Sequence, residues 1–283
     1  MTEYAILPAP QKALLPQLCG LARAGYALYG GTAIALQLGH RESIDFDFFT
    51  AKPLAERDLV AVLPALRDAT PIQREPDTWT VLLSPLDESE RPVKLSFFGG
   101  LSFGRVGIPR LTRNGELLLA SPLDLLGHKL KVLLQRVEAK DYRDIAALLR
   151  SGMRLEAGLG AAQALFGPSF PPAEAVRAMT YFQGGNLKTL TREDKQTLTQ
   201  AAAKAGRIIP ARILSNDLTV PTPEPGGPGG GSPGGGGRGG GGPGGGSPGG
   251  GTGPAQERPS AGRKTVASSR RGLRSEKGKG IGD

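Results

Sequence analysis

Apolar residues Leu14, Leu15, Leu18, Leu21 and Ala22 fall at helical spacing, which predicts a helix over Gln11 to Ala24. Pro16 is placed near its start, where a first turn tolerates it, and Gly25 closes it. Tyr26 to Tyr29 is a short apolar run flanked by glycine, read as a buried strand that delivers Gly30 and Gly31 at its end. Thr32 to Leu38 returns to helical spacing through Ala33, Ala35 and Leu36 and stops at Gly39. Ser43 to Phe49 alternates and is rich in Ile and Phe, which predicts a central strand with Asp45 and Asp47 on one face. Two acids on one face of an otherwise apolar strand are costly unless something cationic sits between them.

Further along, Pro53 to Ala69 is predicted as a helix that buries Leu54, Leu59, Val62, Leu63 and Leu66. Ile72 to Arg74, Thr78 to Ser84 and Val93 to Phe98 read as strands, the last two separated by the polar turn Asp87-Glu88-Ser89-Glu90. Trp79 is expected in the core or on the sheet face. Val106 to Ile108 and Glu116 to Leu119 are placed where the chain returns to the sheet edge. Ser121-Pro122 opens a helix, with Ser at the cap, Pro in the first position and Asp124 in the first turn. Its apolar face is Leu123, Leu126, Leu130, Leu133 and Leu134, with Lys129, Gln135 and Arg136 off it. Further helices are predicted over Ala139 to Leu149, Leu155 to Phe166, Pro172 to Phe182 and Arg192 to Ala205.

Composition changes this picture at Pro221, beyond which only Gly, Pro, Ser and scattered charges remain. Gly226 to Gly253 cannot bury apolar surface and is read as a flexible tether. The organisation expected is therefore a sheet-containing core over 1–120, a helical region over 121–215 and a disordered, basic Gly/Pro-rich tail over 216–283. The net charge is +9. After Pro221, nine Lys or Arg face four Asp or Glu, giving +5 for the tail and +4 for the rest. Both parts favour polyanions, and the tail suits an electrostatic arm for nucleic acid or an inert extension about equally. No signal-like segment or membrane-length apolar run occurs, so a soluble, cytoplasmic protein is expected. Cys19, the single cysteine, is read as a buried small apolar residue.

The chemistry concentrates between Leu28 and Thr50. Asp45 and Asp47 could hold Mg²⁺, or Mn²⁺, which wants carboxylate oxygens. Gly30 and Gly31 before a helix start would let phosphate approach backbone N–H groups, with the Thr32 hydroxyl as a further donor. A glycine pair alone is usually a tight turn, and a lone D-x-D usually a solvated strand end. Joined by one short helix, they point to a nucleotide and metal site.

The run YGGTAIALQLGHRESIDFDFF resembles the AbiEii-type nucleotidyltransferases, toxins of the DNA polymerase β-like superfamily, whose motifs look like G-G/S-T-x-L and R-x-S-x-D-x-D. His128-Lys129-Leu130, Arg136 and Lys140-Asp141-Tyr142-Arg143-Asp144-Ile145 are similar to that family's K-(x)n-R-x3-K-D-x-x-D-[IL] helices. The resemblance implies an α+β fold, with a polymerase β-like core built on a mixed sheet followed by a helical region. It implies triphosphate binding at Gly30, Gly31 and Thr32, with Arg41 either binding triphosphate or anchoring the turn before the strand. It also implies metal at Asp45 and Asp47, phosphate at Lys129, and a further catalytic acid at Asp141 or Asp144. The acids and bases of the later helix would otherwise read as a solvated face with local ion pairs.

One position departs from the superfamily pattern. Ser96 stands on VKLSFF where a third carboxylate is expected, which leaves a site completed by Asp141 or Asp144, or a weakened enzyme. The function expected is transfer of NMP from an NTP to RNA such as the tRNA 3′ end, as the toxin of a type IV-like pair with a cognate antitoxin. The alternative is a catalytically degenerate domain that binds nucleotide or nucleic acid.

Overall fold

The computed structural model describes residues 2–85 and 90–220. Of the turn expected at Asp87 to Glu90 only Glu90 falls among them, and the Gly226 to Gly253 tether with its basic tail lies outside.

The elements follow one another as α1 (Ala9–Arg23), β1 (Ala27–Tyr29), α2 (Gly30–Leu38), β2 (Asp45–Phe49) and α3 (Glu56–Val62). Then come β3 (Thr70–Glu75), β4 (Thr78–Leu83), β5 (Val93–Phe98), β6 (Arg110–Leu111) and β7 (Leu118–Leu119). A run of helices follows: α4 (Pro122–Val132), α5 (Ala139–Arg150), α6 (Leu155–Phe166), α7 (Pro172–Thr180) and α8 (Arg192–Lys204). The strands form one mixed sheet in the order β3-β4-β5-β2-β1-β7-β6. At its centre β2 runs antiparallel to β1 and parallel to β5.

Alternation decides the centre of this sheet. Phe46 and Phe48 of β2 are buried on one face, leaving Asp45 and Asp47 on the other. Phe48 stacks on Phe97 at 5.5 Å between centroids, and Trp79 lies 6.2 Å from Phe97, in the core as expected. Each such fully buried aromatic contributes roughly 1.5–3 kcal/mol of transfer free energy. Those contributions fix the register, because a one-residue slip would send both Phe residues to the polar face and both Asp residues into the core.

Two helices carry groups to that polar face. Helix α2 starts directly at the end of β1, has no side-chain cap, and ends at Gly39 in the left-handed conformation. The Ser121 hydroxyl accepts the Asp124 N–H at the start of α4, as its sequence predicts. Helices α4 and α5 pack on each other and on α2, and sheet and helices share one continuous apolar core.

Four expectations are corrected. Pro16 lies at an exposed position in the interior of α1, because the helix begins at Ala9. Pro64 splits the helix expected over Pro53 to Ala69 into α3 and a 3₁₀ turn, Pro64–Asp68. The edge strand falls at Arg110–Leu111, and Val106 to Ile108 instead forms a turn held by the Asp124 carboxylate, which accepts from the N–H groups of Val106 and Gly107. Cys19 is half-buried. Among the described residues no helix is long and apolar enough to cross a membrane.

Candidate active site

The parallel register of β2 and β5 sets Asp45 beside Lys94 and Asp47 beside Ser96 on the polar face. The Lys94 ammonium lies 3.2 Å from Asp45 Oδ2, and both side chains are about one third exposed, 38% and 34%. Asp47 is more enclosed. Burial pushes its carboxyl above the usual carboxylate range and the Asp45 charge adds to this, while Lys94, Lys129 and a hydrogen bond with Ser96 oppose the rise. A carboxylate held this way gains from an added cation.

Gly30 and Gly31 form the opposite wall. Gly30 has φ +70 and its Cα lies against the Asp47 carboxylate, so a side chain there would be strained in backbone and would collide with Asp47. A side chain at Gly31 would occupy the place of the Arg41 guanidinium. The first N–H groups of a helix lack intrahelical partners, and an uncapped N-terminus with no acid in its first turn favours an anion. Thr32 faces inward: its hydroxyl bonds the Asp45 carbonyl and lies 2.8 Å from the Ser43 hydroxyl, tying α2 to the start of β2.

Behind this wall lies a buried ionic network. Asp141 and Asp144 sit three residues apart on the inner face of α5 with side chains 0% exposed. The Lys129 ammonium donates to Asp141 Oδ1 at 2.7 Å and lies 2.6 Å from Asp144 Oδ2. Arg136 forks onto Asp141 at 2.8 and 3.0 Å, and Arg41 forks onto Asp144 at 2.7 and 3.0 Å. The His40 imidazole completes the set, its Nε2 lying 2.8 Å from Asp144 Oδ1. Burial alone would raise both carboxyl groups, but Lys129 and the arginines outweigh it, so both lie below the usual range. The same contacts hold Lys129 above its ordinary value against a burial effect of opposite sign. All four carboxylate oxygens are engaged, so the network is a strut between α4, α5 and the segment that follows α2.

Two further features hold the strut in place. The Asn186 side chain accepts the Ala139 N–H at 2.7 Å, satisfying a backbone donor at the N-terminal end of α5, whose first turn carries Asp141. Next to Lys129, the His128 ring meets Phe103, Tyr29 and Phe166 edge-on at 4.6 to 5.0 Å, and its buried Nε2 has no hydrogen-bond partner among the described residues. Burial pushes the His128 imidazole down to about 3.

Residues 18–201 match the model of the family described as the nucleotidyl transferase AbiEii toxin of type IV TA systems. The chain belongs to the AbiEii family. Among curated proteins, the uncharacterized protein aq_aa25 of Aquifex aeolicus (strain VF5) is 29% identical over 127 residues. That match covers 44% of this AbiEii chain and 58% of the Aquifex protein, so the chain spans just over half the length of this relative. Among solved structures, an antigenic nucleotidyltransferase-like protein from Paracoccidioides brasiliensis is similar with a TM-score of 0.46 at 18% identity, covering 71% of this chain and 96% of that one.

The AbiEii chain thus brings Gly30, Gly31, Arg41, Asp45, Asp47, Lys129, Asp141 and Asp144 around one site, with Thr32 turned into the strand behind it. Lys94 and His40 were not singled out in the sequence. Alternation along Val93-Lys94-Leu95-Ser96 places Lys94 on the polar face and was the signal for it, whereas nothing in the sequence pairs His40 with Asp144. Among the described residues no group of three or more His, Cys, Asp or Glu side chains is arranged to enclose a metal. The donor set is two carboxylates on one strand face, Asp45 in contact with solvent. That fits Mg²⁺, which is commonly held by one or two carboxylates and completes its shell with water and substrate phosphates.

Proposed function

We propose that this protein is a nucleotidyltransferase that moves NMP from an NTP to an RNA acceptor, such as the tRNA 3′ end, as the toxin of a type IV pair with a cognate antitoxin. The observation that carries the reading is the convergence of an uncapped glycine-led helix start, the Asp45/Asp47 face and the Lys129 strut on one spot, within the stretch matched by the family. Asp45 and Asp47 would hold Mg²⁺, or Mn²⁺. When bound there, the ion supplies charge for the α-phosphate and the departing pyrophosphate and acidifies the attacking hydroxyl.

The chain's own groups do the rest. The N–H groups at the start of α2 receive phosphate oxygens, and the absence of side chains at Gly30 and Gly31 lets the triphosphate approach. Arg41, locked by its fork onto Asp144, presents a fixed guanidinium edge beside Gly31. Lys129 contributes positive potential at the phosphates from a position fixed by two carboxylates. Asp141 and Asp144, with every oxygen occupied and pKa values lowered, are poor proton acceptors and act as positioning residues. In this reading residues 1–120 hold the nucleotide, 121–215 supply the strut, and the tail from 216 to 283 adds affinity for RNA.

The test is to incubate purified protein with labelled NTPs, Mg²⁺ and total RNA. Incorporation that disappears in Asp45→Ala/Asp47→Ala supports the reading, and no incorporation by the wild type sinks it. A second reading, a degenerate domain that binds nucleotide without turnover, is favoured by one observation: Ser96 stands in register with Asp47 where a third carboxylate would sit. Mg²⁺-dependent NTP binding without product would select it.

A further inference from the structure

Lys94 stands apart from the other cations of the site. Lys129, Arg136 and Arg41 are each held by Asp141 or Asp144, in contacts of 2.6 to 3.0 Å. The Lys94 side chain instead reaches across the β2–β5 pairing to Asp45 at 3.2 Å, about one third exposed. Its place follows from the sheet. Parallel strands in direct register turn Asp45 and Lys94 to the same face, and Ser96, two residues on, faces Asp47 with a neutral hydroxyl. A position that would add negative charge to a metal site is therefore neutral, and its neighbour on the same strand is positive.

Resting on the metal reading above, we propose that Lys94 is the resident counter-cation of Asp45 and keeps free divalent ions off the Asp45/Asp47 pair, so that the ion enters together with a triphosphate. With Lys94 paired, the two carboxylates and the ammonium present a net charge of −1 instead of −2 to an arriving ion. A free ion must displace the ammonium and leave it facing a dication. A metal–triphosphate complex brings its own anion, against which the displaced ammonium pairs again. Opening the Lys94–Asp45 contact is easy, because a pair with this exposure contributes little net stability.

The experiment is a Mn²⁺ titration of the full chain without nucleotide, read by the loss of the free-ion paramagnetic resonance signal, for wild type, Lys94→Gln, Lys94→Arg and Asp45→Asn/Asp47→Asn. Lys94→Gln is expected to bind Mn²⁺ about tenfold more tightly than wild type. Lys94→Arg, which keeps the charge, stays close to wild type, and the double Asn variant loses the site. In the presence of a non-hydrolysable NTP analogue the advantage of Lys94→Gln shrinks or reverses. Equal Mn²⁺ affinity in wild type and Lys94→Gln, no binding by either, or a gain that survives in Lys94→Arg overturns the proposal. The first of these leaves nucleotidyl transfer to its own incorporation assay. Conversely, absent incorporation with the tenfold gap in place overturns transfer and leaves the role of Lys94 standing.

Discussion

Replacing Lys129 by Met removes the ammonium from between Asp141 and Asp144 while keeping the length and much of the volume of the side chain. Two contacts of 2.7 and 2.6 Å disappear, and two carboxylates with no solvent exposure are left to Arg136 and to Arg41 with His40. Breaking a buried ion pair on one side costs about 3–5 kcal/mol, so the variant should lose about that much stability at neutral pH. The loss carries a pH signature. In the wild type both carboxyl groups are held below the usual range, so their contribution is complete above their unfolded value of about 3.9 and fades only as pH falls through the lowered folded values. In the variant the burial effect is no longer outweighed, the folded values rise, and proton uptake stabilises the fold as pH falls. The gap between the two proteins therefore narrows from about pH 7 toward about pH 4. Urea unfolding at both pH values measures it, and Asp141→Asn added to Lys129→Met should recover part of the loss. A loss below about 1 kcal/mol at neutral pH, or a gap independent of pH, would refute the buried-strut reasoning.

Other substitutions separate chemistry from folding. Asp47→Asn should abolish transfer yet leave stability unchanged or raise it by about 1 kcal/mol, because burial already disfavours the charged carboxylate; thermal melts and incorporation measured on the same preparation check both. Gly31→Ala should displace the Arg41 guanidinium, costing about 1–3 kcal/mol and most nucleotide affinity, as read by melting and by NTP-analogue titration; near-native affinity would contradict it. His128→Phe should leave neutral-pH stability within about 1 kcal/mol. It should raise stability by up to about 3 kcal/mol near pH 4, because a folded value of about 3 against an unfolded value of about 6.5 drains wild-type stability as pH falls between them. Parallel acid unfolding curves for the two proteins would count against it.

Local signals carried much of the fold. The alternation of Ser43 to Phe49 located β2 and its two-acid face, the Ser121-Pro122-Asp124 pattern located the start of α4, and Gly39 located the end of α2. Each of these is decided within a few residues of the chain. The misreadings arise where distant partners decide. Lys129 lies off the leucine face of α4 and on periodicity alone faces solvent, yet it is buried because Asp141 and Asp144, from the next helix, meet it there. Apolar spacing alone sets Pro16 near a helix start and runs a helix through Pro64, but the first helix begins at Ala9, which leaves Pro16 in its interior, and the later one breaks after Val62, so that Pro64 opens a 3₁₀ turn. Of the site, the glycine pair and the two strand aspartates were legible as motifs. The Lys94–Asp45 contact depends on how β5 registers against β2, and the His40–Asp144 contact on how α5 packs over α2. The resemblance supplied the lysine and the two helix acids, while their saturation by four cationic or imidazole partners is visible only in three dimensions.

The measurement that bears most directly on the central claim is incorporation of labelled nucleotide into RNA by the purified full chain with Mg²⁺, run beside Asp45→Ala/Asp47→Ala and Lys129→Met. Labelled RNA is the result expected from the wild type, with none above background from either variant. Unlabelled RNA from a folded wild type across all four NTPs, or labelling undiminished when both strand aspartates are removed, would contradict it.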